Sequence, residues 1–471
     1  MASDATGWEH VSRRNVLKGM AALGAGAALS SCGFLRHPRP PRGRPVLPPG
    51  TRPFPRVPEG TDMLPRIEHV VVVQMENHSF DDHFGVLGRG DGFRIGHDGL
   101  PLDANPDTNG NLIRAFHMPS TCQLHSHPGQ NWNASHTAFD GGRNDGFVRA
   151  SGPVAMGYWD GTDLPFYYAL ARTFPLCDRF FCSVLAQTYP NRRFLMAGTA
   201  AGIVSTTTAA LTAPPPPNGT IFDRFASHGI SWRNYFSDLP SAAIIIDTLT
   251  KYGKTNFSPI AQFYTDAAAG NLPFFSLVDP NFSTQSEEDP QDVREGEQFA
   301  AQVVNAVMQG PGWSKTLLIW NYDEHGGYYD HVPPPPAIRP DDIPPDITVP
   351  PDLPGGYDRY GFRVPAVVVS PFARRHYVSH RTHDHTSILK LIETKWNLGA
   401  LTFRDANASN LLDTVDLDTR RPAFLDPPVL PAPALASGPD TCTPGDPGGP
   451  IPPPSAVVPP GSHEHLVVGA H

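Results

Sequence analysis

An apolar run that ends in acid occurs twice in this chain. Residues 70–75, VVVVQM, stop at Glu76-Asn77, and residues 316–322, TLLIWNY, stop at Asp323-Glu324. A buried strand gains nothing by ending in a carboxylate unless that end is exposed or faces a cation. Carboxylates at two strand ends, with His325, Asp330 and His331 just behind the second, are donors suited to a hard or borderline divalent cation. A solvated acidic loop would use the same residue types, but it would not make both runs stop alike. A third cluster, Gln187-Thr188-Tyr189-Pro190-Asn191-Arg192-Arg193, offers an alcohol ahead of a turn and two guanidinium groups. An alcohol is a poor nucleophile at neutral pH until a metal or a base activates it. Asn191 and Arg192 are donor types suited to phosphoryl oxygens. A fourth cluster gathers His380, His383, Asp384 and His385, although Asp384-His385-Thr386-Ser387 also reads as a helix N-terminus. His136, in the segment NWNASH, is a fifth candidate.

These residues need a frame that brings them together. Residues 70–75, 274–278, 316–322 and 364–370 are rich in β-branched or aromatic types and bounded by turn signals, which predicts strands. Residues 295–308, EGEQFAAQVVNAVM, place Phe299, Val303, Val304 and Val307 on one helical face. A second helix is predicted over residues 387–396, with Ile388, Leu391 and Ile392 on its apolar face. Strands alternating with helices predict an α/β layered domain around a large, mostly parallel central sheet. In such a sheet, ligands bind at the carboxyl ends of the strands. Residues 333–354 are a proline-rich excursion directly after the second acidic cluster.

The 471 residues carry 36 basic and 46 acidic side chains, a formal charge of −10, with no basic stripe, which excludes a general nucleic-acid binder. The N-terminus reads as an export leader. Ser12-Arg13-Arg14-Asn15-Val16-Leu17-Lys18 matches a twin-arginine pattern, and an Ala/Gly-rich stretch too short to span a bilayer follows. Leu29-Ser30-Ser31-Cys32 resembles a lipobox, so acylation of Cys32 would tether the mature protein to the cell envelope; a plain cleavage site would release it. The expected organisation is a leader over 1–32, a proline-rich linker over 33–62, a catalytic domain over 63–426 and a proline-rich disordered tail over 427–471. Cys122, Cys177, Cys182 and Cys442 lack a CxxC pair, and export permits disulfides among them in any of three pairings.

Taken in order, these clusters resemble the bacterial phosphoesterase family that contains phospholipases C and acid phosphatases, within the alkaline phosphatase-like superfamily. The matching stretches are ENHSFDDHFG (76–85), TYPNR (188–192), DEHGGYYDHVPPP (323–335), VPAVVVSPFAR (364–374) and DHTS (384–387). The resemblance implies an alkaline phosphatase-like fold and assigns roles. Glu76, Asn77, Asp323 and Glu324 would hold a divalent metal, with Thr188 both facing it and acting as nucleophile. Asn191 and Arg192 would steady the phosphate. His331 and His385 would be supporting or acid/base groups, with Asp384 orienting His385. Oxygen-rich ligation suits Mg, Ca or Mn, and superfamily relatives often use Zn.

The pattern is broken in two places. Asp289-Pro290 stands where a His-Pro pair is expected, and Gln130 stands two residues before Trp132 where a histidine is expected. His136 is then a candidate for part of the missing acid's work. The expected activity is hydrolysis of a phosphoester, a phospholipid or a monoester, through a phosphothreonine. A sulfatase reading fails because Thr188 cannot become formylglycine. A catalytically silent surface binding protein is the rival from another class.

Overall fold

The computed structural model describes residues 45–123, 127–435, 448–462 and 465–470. The twin-arginine segment, Cys32 and Cys442 lie outside them. The strands of the main sheet are β1 (His69–Met75), β2 (Leu176–Cys177), β3 (Trp232–Phe236), β4 (Phe257–Pro259), β5 (Phe275–Asp279), β6 (Thr316–Tyr322), β7 (Ala366–Val369) and β8 (Val378–Ser379). Their order across the sheet is β8-β2-β7-β6-β1-β5-β3-β4. All neighbours are parallel except where β7 runs antiparallel to β6 and β2. Val70 to Val73 in β1 are at most 1% exposed. The unbroken apolar run follows from that position, because a central parallel strand is covered on both faces.

Four helices matter to the site: α1 (Phe80–Phe84), α2 (Thr188–Ala197), α3 (Val293–Gln309) and α4 (His385–Trp396). Helix α3 buries Phe299, Val303, Val304 and Val307, the face the periodicity predicts. Helix α4 starts two residues earlier than its apolar pattern, because Asp384 and Ser387 form a reciprocal capping box. No helix among the described residues is long and apolar enough to cross a membrane.

Two expectations about the flanks are corrected. Residues 45–62 do not run free as a spacer. Gly50 N donates to the Ala400 carbonyl at 2.7 Å, and the Asn397 side chain bonds Phe54 N at 2.9 Å and the Val57 carbonyl at 2.8 Å. Asn397 holds the left-handed C-cap of α4 (φ 47°), so its amide is free to clasp this segment. The tail is likewise not disordered throughout. Val457–Val458 pairs antiparallel with Leu112–Arg114, and Val467–Val468 pairs parallel with Asp103–Pro106, which makes a four-stranded sheet. Two-residue strands set among prolines leave no trace in composition. Cys177 and Cys182 are buried free thiols, and Cys122 is disulfide-bonded.

Candidate active site

Strand register delivers the acids to one place. Met75 pairs with Tyr322, so β1 and β6 run out side by side into Glu76 and Asp323. On the other flank of β1, β5 ends in Asp279. The cation facing these three carboxylates is Arg192. Its Nε donates to Asp323 Oδ2 at 2.9 Å, while Nη2 lies 3.4 Å from Glu76 and Nη1 lies 3.8 Å from Asp279. Glu324 follows Asp323 and is fully buried. One guanidinium does not neutralise this group. Burial pushes Glu76 well up; Arg192 pulls it back, and Asp323 and Glu288 add to the rise. Burial raises Asp323 to about 6 against the pull of Arg192, and burial with the Asp323 charge raises Glu324 well above the usual carboxylate range.

Thr188 opens α2, and its Oγ1 lies 3.5 Å from Asn77 Oδ1. Arg192 follows one helical turn later, on the same face, so a single helix presents the alcohol and the counter-charge together. Asn77 has a positive φ (95°), which asparagine tolerates. Close behind, an added Cβ on Gly326 would lie 1.8 Å from the Asn77 carbonyl oxygen, so only glycine fits the turn after Glu324.

The residues present fit a divalent cation. Negative charge exceeds positive, and Glu324 Oε1 is buried without a hydrogen-bond partner. Tightly grouped metal-competent side chains occur, among the described residues, at His78-Asp82-His83 and His117-Asp160-Asp163. Glu76, Asp323 and Glu324 are more open than those, with Arg192 bridging two of them. The His78 cluster is satisfied internally. Asp82 bonds His78 at 2.6 Å and His83 at 3.0 Å, and Glu287 takes His83 Nε2 at 3.1 Å and the Tyr167 hydroxyl at 2.6 Å.

Several of the expected residues have partners inside the protein. Asn191 turns its amide toward the chain. Its Oδ1 accepts from Ser183 N at 2.8 Å and Val184 N at 3.0 Å, and its Nδ2 donates to the carbonyls of Val184, Ala186 and Gln187. It therefore shapes the segment leading into Thr188. Arg192 gives Nε and Nη2 to Asp323 and to the Gln74 and Met75 carbonyls, with Phe282 against its face, while its Nη1 is buried without a hydrogen-bond partner. His331 belongs to a buried ion cluster, bonded to Asp81 at 2.6 Å beside Arg363, and although burial opposes it Asp81 raises its pKa to about 9. His136 packs on the Trp132 ring and donates Nδ1 to the Trp132 carbonyl at 2.7 Å, away from the acids. His385 does adjoin the site. Its Nε2 donates to the Tyr322 carbonyl at 3.0 Å and its Nδ1 meets Ser183 Oγ at 3.1 Å, which ties the end of β6 to the loop before Thr188. Burial lowers its pKa to about 4, which favours the neutral ring. Asp384 caps α4 and accepts from Ser183 Oγ at 2.8 Å, rather than from His385.

With this geometry in place, similarity to known proteins decides the family. A family model for the phosphoesterase family matches residues 67–399. The chain belongs to the phosphoesterase family. Phospholipase C B of Mycobacterium tuberculosis (strain CDC 1551 / Oshkosh) is 30% identical over 416 residues, covering 74% of this chain and 78% of that protein. Phospholipase C A of the same strain is 31% identical over 388 residues, covering 71% and 74%. Non-specific phospholipase C1 of Arabidopsis thaliana is 30% identical over 375 residues, covering 72% and 69%. A solved protein of the alkaline phosphatase superfamily from Vibrio parahaemolyticus aligns with a TM-score of 0.36 at 12% identity over 70% of this chain and 76% of that one, which carries no weight of its own. A model of the twin-arginine pathway signal sequence matches residues 10–30. This is an exported phosphoric ester hydrolase.

The phosphoesterase site also holds residues that the sequence pattern did not single out. Asp279 ends β5 as Glu76 and Asp323 follow β1 and β6, and the same signature, an apolar run closing in acid, marks it. Ser183 bridges Asp384 and His385 and carries no signal in sequence. Glu288 lies in an acidic loop, close enough to raise Glu76, Asp323 and Glu324. Gln130 Nε2 donates to that same Glu288 at 2.9 Å.

Proposed function

We propose that this hydrolase is a metal-dependent enzyme of the phospholipase C type that transfers the phosphoryl group of its substrate to Thr188 and then to water. The observation that carries this reading is the Thr188 hydroxyl at 3.5 Å from Asn77, at the start of a ten-residue helix that also supplies Arg192 to Asp323 and Glu76. Glu76, Asn77, Asp323 and Glu324, with Thr188, are the residues that would hold the cation. When bound, a divalent ion supplies positive charge that favours the threonine alkoxide and offsets charge on the phosphoryl oxygens.

The chain's own residues do the positioning. Helix α2 aims its N-terminal dipole at the phosphoryl group, which favours an anion there. Asn191 and His385 hold the segment before the nucleophile, and Arg192 keeps Asp323 ionised and in place. The Thr188 oxygen bonds phosphorus as the bond to the leaving oxygen breaks, and water then cleaves the phosphothreonine. The names of the relatives support a phospholipid diester as substrate.

The test is Thr188→Ala. Turnover of phosphatidylcholine and of p-nitrophenyl phosphate should fall by about 10³-fold or more with the melting temperature unchanged. A chelator should silence the wild type, and a divalent ion should restore it. Wild-type rates in the alanine variant would refute the threonine. Turnover of monoesters alone would assign the enzyme to the phosphatases.

A further inference from the structure

Phosphoryl transfer to Thr188 expels an alkoxide, which needs a proton unless it is already a weak base. Neither position where the family resemblance predicts a histidine beside the phosphate supplies one; they hold Gln130 and Asp289. The imidazoles on the elements bordering the carboxylates, His78, His83, His325, His331 and His385, are each at most 1% exposed.

His127 is different. Its side chain is 51% exposed, and its ring lies between two acids, Nε2 3.3 Å from Glu288 and Nδ1 3.6 Å from Asp289. Those contacts are longer than the 2.6 Å bonds that lock His78 and His331, so a substrate oxygen can take the place of either. Its neighbours are fixed. Gln130 bonds Glu288 at 2.9 Å, Tyr328 donates its hydroxyl to Asp289 at 3.3 Å, and Gly129 N donates to Ser151 Oγ at 3.0 Å. The loop is also pressed onto the catalytic turn. A Cβ on Gly327 would meet Pro128 Cβ and the Gly129 carbonyl oxygen, each at 2.7 Å, and Gly326 beside it abuts Asn77. The imidazole thus sits on a loop packed against the turn after Glu324, and it contacts Glu288, the acid whose charge acts on Glu76, Asp323 and Glu324.

We propose that His127 is the proton donor to the leaving oxygen, doing from a new position on the chain what histidines at 130 and 289 would otherwise do; this rests on Thr188 as the nucleophile. In the first half-reaction the Thr188 oxygen–phosphorus bond forms, the bond from phosphorus to the leaving oxygen breaks, and the His127 proton passes to that oxygen. In the second, water attacks phosphorus, its proton returns to His127, and the bond to Thr188 breaks. Asp289 first and then Glu288 hold the imidazolium charged, with a pKa of about 10, so the donor form is present at neutral pH.

The experiment compares two substrates that transfer the same phosphocholine group, phosphatidylcholine and p-nitrophenylphosphocholine, in His127→Gln and Thr188→Ala. The p-nitrophenolate leaves without help and the diacylglycerol alkoxide does not. His127→Gln should lower kcat/KM for phosphatidylcholine by about 10²-fold or more and change the nitrophenyl ester less than about threefold, at an unaltered melting temperature. Equal loss on both substrates would make His127 a structural residue and overturn the assignment, as would no loss on either. Thr188→Ala should be silent on both. Activity in that variant would sink the nucleophile itself and identify the failure as lying there. If the wild type takes only monoesters, p-nitrophenyl phosphate and glycerol phosphate form the equivalent pair.

Discussion

Asn191 sits in the motif that carries Thr188 and holds the chain around it. All of its hydrogen-bonding capacity goes to the backbone of residues 183–187, the segment that delivers Thr188. Removing the side chain would leave the buried N–H groups of Ser183 and Val184 without acceptors, and each unsatisfied donor costs about 1–3 kcal/mol. Asn191→Ala should therefore lower the melting temperature by several degrees and reduce turnover together. A variant with wild-type stability and a raised KM would instead return Asn191 to the phosphate. The motif TYPNR marked the position as important, but the residue types could not say whether the amide faces outward to an anion or inward to the chain.

Among the elements, the decisive one is the turn that follows β6. Gly326 (φ 66°) sits against the Asn77 carbonyl, and Gly327 (φ 85°) against the His127–Gln130 loop, so this turn joins the ends of β1 and β6 to the rim of the site. A methyl group at 326 cannot be placed without displacing Asn77, and the left-handed backbone penalises any side chain as well. Gly326→Ala should cost at least about 1–3 kcal/mol and shift Asn77 relative to Thr188. The readout is a depressed melting temperature together with weaker activation by divalent ions in a titration. Unchanged activation would show that Asn77 does not belong to the cation site. The glycine pair was legible in sequence as a turn; its contact with Asn77, some 250 residues away, was not.

At the scale of the whole molecule, buried carboxylates make stability depend on pH. Glu297, on α3, accepts a hydrogen bond from Tyr167 N at 3.0 Å, and burial pushes its pKa up to about 8. Its folded pKa lies above its unfolded value, so its contribution is fully present below about 4.5 and is lost as pH rises to 8. Glu297→Gln stays neutral throughout. Its melting temperature should gain on the wild type between pH 4.5 and 8 and run parallel to it above that, as measured by calorimetry across the range. A constant difference across the range would show that the Glu297 carboxyl has the same pKa folded and unfolded.

The sequence alone determined the class of fold, the strands that carry Glu76 and Asp323, the nucleophile candidate and the export leader. Each of these is local: an apolar run and where it stops, a helical period, a short ordered motif. Tertiary structure decided which polar groups are taken up by partners inside the protein. Arg192, Asn191 and His331 have the same side chains whether they meet a phosphate or a buried partner, and only packing selects between the two. Asp279, Ser183, Glu288 and His127 came into view because strand register and loop contacts bring distant residues together, and that information is not carried by any one segment. The strands at Val457–Val458 and Val467–Val468 were hidden for the same reason: so short a strand exists only where a hairpin edge is waiting for it.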